Sequence, residues 1–134
     1  MIQNQSELVL IDSSVWIQYL NVRMFPGHNS IDRMMSDERA CVNGVIKAEV
    51  LLGSSSRDEF SELGSLLRGV IDLPTNGRVW NLVAELAFEL KLRGEMLPIP
   101  DLIIAATAIG HGCWLYTLDK GFARITELGF YDPT

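Results

Sequence analysis

Residues 98–122 read PIPDLIIAATAIGHGCWLYTLDKGF, and the fold turns on how that stretch divides. Pro100 suits a first helical turn, where its missing N–H is no loss. Asp101 complements the positive end of the helix dipole. The apolar run that follows breaks at Gly110–Gly112, a short strand occupies Cys113–Thr117, and a turn leads into a last helix over Phe122–Leu128. Both ends of this unit carry a carboxylate, Asp101 on the first helical turn and Asp119 just past the strand. Each has an ordinary explanation as a helix-start acid or cap. Two further acids upstream set the pair apart.

Working outward, Leu8–Ile11 is a short continuous apolar run, the mark of a strand covered on both faces. It ends at Asp12, ahead of an amphipathic helix Val15–Leu20, so Asp12 sits at the carboxyl end of a buried strand, where open α/β sheets place ligands. A loop over Asn21–Ser30 and a brief helix with Ile31, Met34 and Met35 on one side lead to a second strand, Arg39–Val42. The helix Val45–Gly53 carries Glu49 in its middle. Val45, Ile46, Leu52 and Gly53 are its neighbours one turn away, so no basic residue on the helix can pair with it. A carboxylate on an apolar face is costly without compensation.

Ser56 and Glu59 form a capping box for a helix reaching Arg68, with Gly69 as its stop. Val70–Leu73 is a third strand, in which Asp72 has no evident companion. Thr75 or Asn76 caps the longest helix, Gly77–Arg93, whose apolar residues cover so wide an arc that both the core and a partner subunit are expected against it. Gly129–Tyr131 is a short edge strand. Strands alternating with helices imply a parallel sheet with helices on both faces.

The 134 residues form one domain, 1–134, large enough to bury a core without staples. The apolar run Leu102–Ile109 is far too short for a membrane span, and Met1–Glu7 lacks the basic and apolar regions of a secretion signal. A cytoplasmic protein is the expectation. Cys41 and Cys113 each open an apolar segment and read as buried, reduced thiols. If they head the strands flanking the Asp12 strand, those strands lie about 9.6 Å apart, too far for a disulfide.

Four carboxylates brought together would repel by about 4 kcal/mol per close pair at moderate dielectric. Oxygen-only ligands are what Mg²⁺ or Mn²⁺ prefers, and such an ion can activate water and stabilise a departing alkoxide. Metal-assisted phosphodiester hydrolysis is the chemistry these residues suit best. The net charge of −6 is unusual for a nucleic-acid binder, so contact with RNA needs a local basic patch, for which Lys47, Lys120 and Arg124 are the candidates. A metal-free nuclease using His28 and His111 is one alternative, and a non-catalytic acidic-pocket binding or receiver-like module is another. The second accounts for Asp12 but not for the other three acids.

LVLIDSSVWIQYL at 8–20, VIKAEVLLG at 45–53 and the stretch 98–122 together resemble the PIN domains of VapC toxins, in the family's order and over nearly the whole chain. The resemblance implies a PIN-like three-layer α/β/α fold with a central, mainly parallel sheet flanked by helices, the Asp12 strand central and the Asp119 strand beside it. It implies a Mg²⁺- or Mn²⁺-dependent endoribonuclease, inhibited by a cognate VapB-like antitoxin and usually a homodimer. Asp12, Glu49, Asp101 and Asp119 then form the acidic quartet, with Ser14 and Thr117 as supporting hydroxyls. Many relatives carry another acid or amide where this chain has Gly121, which argues for one firmly held metal. Met24, Phe25, Met34 and Met35 are expected to offer apolar surface to an antitoxin helix, with a core role the alternative for the two later methionines.

Overall fold

In the computed structural model, residues 7–133 are described; most of the amino-terminal stretch read above for a targeting signal lies outside them. Four short strands, β1 (Val9–Ile11), β2 (Ala40–Val42), β3 (Ile71–Asp72) and β4 (Trp114–Tyr116), form one parallel sheet in the order β3-β2-β1-β4. Six helices flank it: α1 (Ser13–Asn21), α2 (His28–Ser36), α3 (Gly44–Leu52), α4 (Arg57–Arg68), α5 (Gly77–Leu92) and α6 (Ile99–Gly110). This is the three-layer arrangement the alternating pattern implies. β1 is fully buried because it has a strand on either side and helices above and below.

The chain lays β2 and β3 on one side of β1 and returns to place β4 on the other. Strand order therefore reverses between β1 and β4, and the crevice beyond their carboxyl ends is where such sheets bind ligands. Ile11 pairs with Tyr116, and the Asp12 amide donates to the Tyr116 carbonyl at 2.9 Å. That register sets residue 12 beside residue 117 at the mouth of the crevice.

Helix starts follow local chemistry. Asn43, Ser56 and Asn76 each accept a backbone N–H from the residue three further on, satisfying a donor the helix leaves open. The box at Ser56 is half formed, since the Glu59 carboxylate takes the Ser55 hydroxyl instead. α6 is buried over the whole run Leu102–Ala108, which a helix can sustain only with neighbours on all sides. At Gly110 an added Cβ would lie 3.2 Å from Val79 and 3.4 Å from Leu82, so α5 and α6 close tightly there.

The structure corrects several expectations. The last helix is a 3-10 helix, Lys120–Arg124, ending where Ile125 turns extended. Phe122, Ile125 and Leu128 all reach the core, but only Phe122 does so from within the 3-10 helix. The edge strand shrinks to one parallel bridge, Leu115 to Phe130. Asp72 does have a companion, an ion pair with Lys47 of α3. Met34 is core at 1% exposure, Met35 and Phe25 pack against the core, and only Met24 is freely exposed. α5 buries Val79, Val83, Leu86 and Leu90 and leaves Trp80, Phe88 and Leu92 open, so within one chain only one of its two expected faces is covered.

Both cysteines are free and buried. They lie on either side of β1, yet contact with the Cys113 thiol, together with burial, pushes the Cys41 thiol well above its usual range. No helix among the described residues is long and apolar enough to cross a membrane.

Candidate active site

Asp12 follows β1 and is 5% exposed. It stands in the N-cap position of α1 but makes no capping bond, so the ordinary explanation of this acid fails. Its Oδ2 instead accepts from the Ser14 hydroxyl and the Thr117 hydroxyl, each at 2.8 Å. Those hydroxyls are themselves oriented by backbone donors. The Leu118 amide donates to Ser14 Oγ at 3.1 Å and the Asp119 amide to Thr117 Oγ1 at 3.0 Å. With a lone pair of each oxygen so engaged, each hydroxyl proton is free to point at the carboxylate. Asp12 is thereby latched across the β1–β4 boundary.

Glu49 projects from α3 and is half-buried, its Oε1 accepting from the Ser13 hydroxyl at 3.1 Å. Asp101 lies in the first turn of α6, also half-buried. Asp119 is exposed and caps the 3-10 helix, accepting from the Gly121 amide at 2.8 Å. Burial pushes the Glu49 carboxyl above the usual carboxylate range. The Ser13 hydrogen bond opposes that shift, and the charges of Asp12 and Asp101 add to it. Burial likewise raises Asp101, with Asp119 and then Asp12 contributing. Asp101 therefore feels two neighbouring acids directly and acts on Glu49 as a third, with Glu49 and Asp119 towards opposite ends of the cluster.

Asp12 and Asp101 thus act on Glu49, Asp119 and Asp12 act on Asp101, and no basic side chain is among the groups that shift Glu49 or Asp101. Among the described residues no three His, Cys, Asp or Glu side chains are gathered closely enough to hold a metal ion as they stand. The donor set is nevertheless all oxygen, with Asp12 held rigidly and Glu49 and Asp101 destabilised as anions. That chemistry fits a hard divalent cation with several retained waters.

The remaining candidates divide. Lys47 is committed to Asp72. The Arg124 guanidinium donates to the Met96 carbonyl at 2.8 Å. Lys120 is exposed beside Asp119 and has no ion pair among the described residues. The histidines lie in other contacts: His28 stacks on Tyr19, with ring centroids 4.3 Å apart, and stands 3.8 Å from Asp32, while His111 Nε2 meets the Pro74 carbonyl at 2.9 Å. Sequence reasoning missed Ser13 as a partner for Glu49. Its adjacency to Asp12 was the available signal, but only the packing of α1 on α3 makes the contact.

Residues 9–128 match the family model described as PIN domain, and the chain belongs to that family. It is 29% identical to Ribonuclease VapC11 of Mycobacterium tuberculosis, with 90% of this chain and 96% of that protein covered. Among solved structures, the fold is similar to VapBC2 from Rickettsia felis bound to a promoter DNA fragment, with a TM-score of 0.81 at 19% identity over 92% of this chain and 97% of that one. VapBC-1 from nontypeable Haemophilus influenzae superposes equally well, with a TM-score of 0.81 at 23% identity over 94% and 98%.

A carboxyl whose proton affinity rises on folding favours the folded state at low pH and opposes it once ionised. Metal-free Glu49→Gln, which keeps the oxygen that Ser13 contacts, should therefore melt at a higher temperature than the parent at pH 7. The gain should shrink as pH falls through the raised Glu49 titration towards the ordinary carboxylate range. Scanning calorimetry across that range measures it; a variant less stable at pH 7 would contradict the charge account.

Proposed function

We propose that this chain is a Mg²⁺- or Mn²⁺-dependent endoribonuclease, the toxin of a VapBC-type pair acting in the cytoplasm. The observation that carries the reading is Asp12 at the β1–β4 switch point, latched by two hydroxyls, with Glu49 and Asp101 close enough to feel its charge. The ribonuclease name of its relative VapC11 and the VapBC complexes among its structural neighbours support it. Asp12, latched by two hydroxyls, and Asp101, on the first turn of α6, are the residues suited to hold the ion. Bound there, the ion would lower the pKa of a water, polarise a phosphoryl oxygen and stabilise the departing alkoxide. Glu49 Oε1 is occupied by Ser13, which leaves Oε2 to accept a proton from the attacking water, and its raised proton affinity suits that task. Asp119 is exposed and folded back onto the Gly121 amide, so its contribution is the weakest.

Mapping cleavage sites on total RNA, with and without Mg²⁺ and a chelator, tests this directly. Cleavage should require the ion, and Asp12→Asn or Asp101→Asn should each cost at least about 3 kcal/mol of transition-state stabilisation, roughly a hundredfold or more in rate. Asp119→Asn should cost less and recover partly at higher metal concentration. Equal inactivity of all three at every metal concentration would overturn the unequal roles, and chelator-resistant cleavage would overturn the metal. A cognate antitoxin that inserts Arg or Lys among the acids would neutralise them and exclude the ion; the product of the neighbouring reading frame should copurify with the chain and silence it.

Lys120 is the basic side chain left to meet RNA phosphate beside the acids. Lys120→Glu should weaken RNA binding and flatten its dependence on salt. A slope equal to that of the parent would remove Lys120 from the interface.

α5 leaves Trp80, Phe88 and Leu92 exposed, and the exposed Met96 and Ile99 line a groove of about 570 Å³ that Ala87 and Leu90 of the same helix also line. Exposed apolar surface of this kind marks an interface, and a second copy is the proposed occupant. Sedimentation should find a dimer that Phe88→Glu dissociates; a monomeric parent at micromolar concentration would refute it.

A further inference from the structure

One buried polar contact joins the helix that carries Glu49 to the helix that carries Asp101. Asn43, just past β2, and Thr107, on α6, are both 0% exposed. Asn43 Nδ2 donates to Thr107 Oγ1 at 3.1 Å. Asn43 Oδ1 accepts from the Ile46 amide at 2.9 Å, capping α3, and the Thr107 hydroxyl donates to the Ile103 carbonyl at 2.6 Å. Each atom of the bridge thus has a committed role and the bond has one direction.

Glu49 lies six residues beyond Asn43, and Thr107 lies six residues beyond Asp101. At 1.5 Å per helical residue, each acid stands about 9 Å along its own helix from the bridge. The apolar contacts around it are non-directional and single out no partner atom. A buried hydrogen bond admits one register only, since breaking it strands polar atoms away from water.

We infer that Asn43 and Thr107 are positioning residues, whose bond sets the separation of Glu49 and Asp101 and so the affinity of the site for a divalent cation. The inference rests on the metal-dependent reading above. Neither residue touches the reacting atoms.

The test uses the full chain, Mn²⁺ alone as the probe by titration calorimetry, and RNA cleavage resolved into kcat and KM. Thr107→Val keeps the shape and deletes the hydroxyl; Mn²⁺ should bind about tenfold more weakly, with kcat reduced and KM unchanged. Thr107→Ser should restore binding to within about twofold of the parent. Ile104→Val, a buried apolar trim on the same helix, should lower the melting temperature without weakening Mn²⁺. Should Thr107→Val not fold, Asn43→Ser, which retains a helix-capping oxygen but does not reach Thr107, takes its place with the same expectation.

Parent-like Mn²⁺ affinity in the variant, equal loss in Ile104→Val, or no rescue by serine overturns the inference. A parent chain that binds no Mn²⁺ instead overturns the metal reading. The bridge is then judged by amide exchange at Ile46, which should quicken about tenfold in Thr107→Val and recover in Thr107→Ser; unchanged exchange refutes the tie between the helices.

Discussion

The parallel pairing of β1 with β4 is the constraint on which the site depends. It brings Thr117 against Asp12 across 105 residues of sequence and makes the point where strand order reverses. A carboxylate as buried as Asp12 needs donors. Two hydroxyl bonds to a charged acceptor contribute about 1.5–3 kcal/mol each, and both hydroxyls are aimed by backbone amides that exist only because β4 ends where it does. Moving β4 by one register position would turn Thr117 to the other face of the sheet and leave Asp12 with Ser14 alone.

From that anchor the acids are graded by exposure: Asp12 buried, Glu49 and Asp101 half-buried, Asp119 exposed. The gradient matters because like charges repel most where water is scarce. Burial first, and then the neighbouring acids, raises the proton affinity of the two half-buried carboxyls, while Asp119 accepts from the Gly121 amide. The site is thus held against its own electrostatics by the core beneath it, in which β1 and residues Leu102–Ala108 of α6 are buried. Stability given up locally in this way is a common mark of a working site.

Charge outside the site is organised differently. Lys47 and Arg124 lie near site motifs in sequence, yet one pairs with Asp72 on the sheet edge and the other with a backbone carbonyl. In an acidic chain this leaves little positive charge facing the cluster, which is the circumstance in which a cation, whether an ion or a partner's side chain, has most to gain by entering.

The sequence by itself determined the parts whose physics is local. Apolar runs marked the strands, Ser56 and the Thr75–Asn76 pair two helix starts, Gly69 a helix stop, and the absence of any helical partner singled out Glu49. These depend on neighbours within a turn or a strand length. The tertiary structure alone decided which face a residue shows and whom it meets across the chain. The spacing of three among Phe122, Ile125 and Leu128 suits a helix, but the chain leaves helical geometry at Ile125 and the three reach the core from a short 3-10 turn and the non-helical segment after it. Met34 is turned inward by the seating of α2, Asp72 finds Lys47 25 residues away, and Ser13 reaches Glu49 only through the packing of α1 on α3. The pairing of Asn43 with Thr107 was not legible at all, because a bond spanning 64 residues follows from the relative placement of two helices, which no local preference specifies.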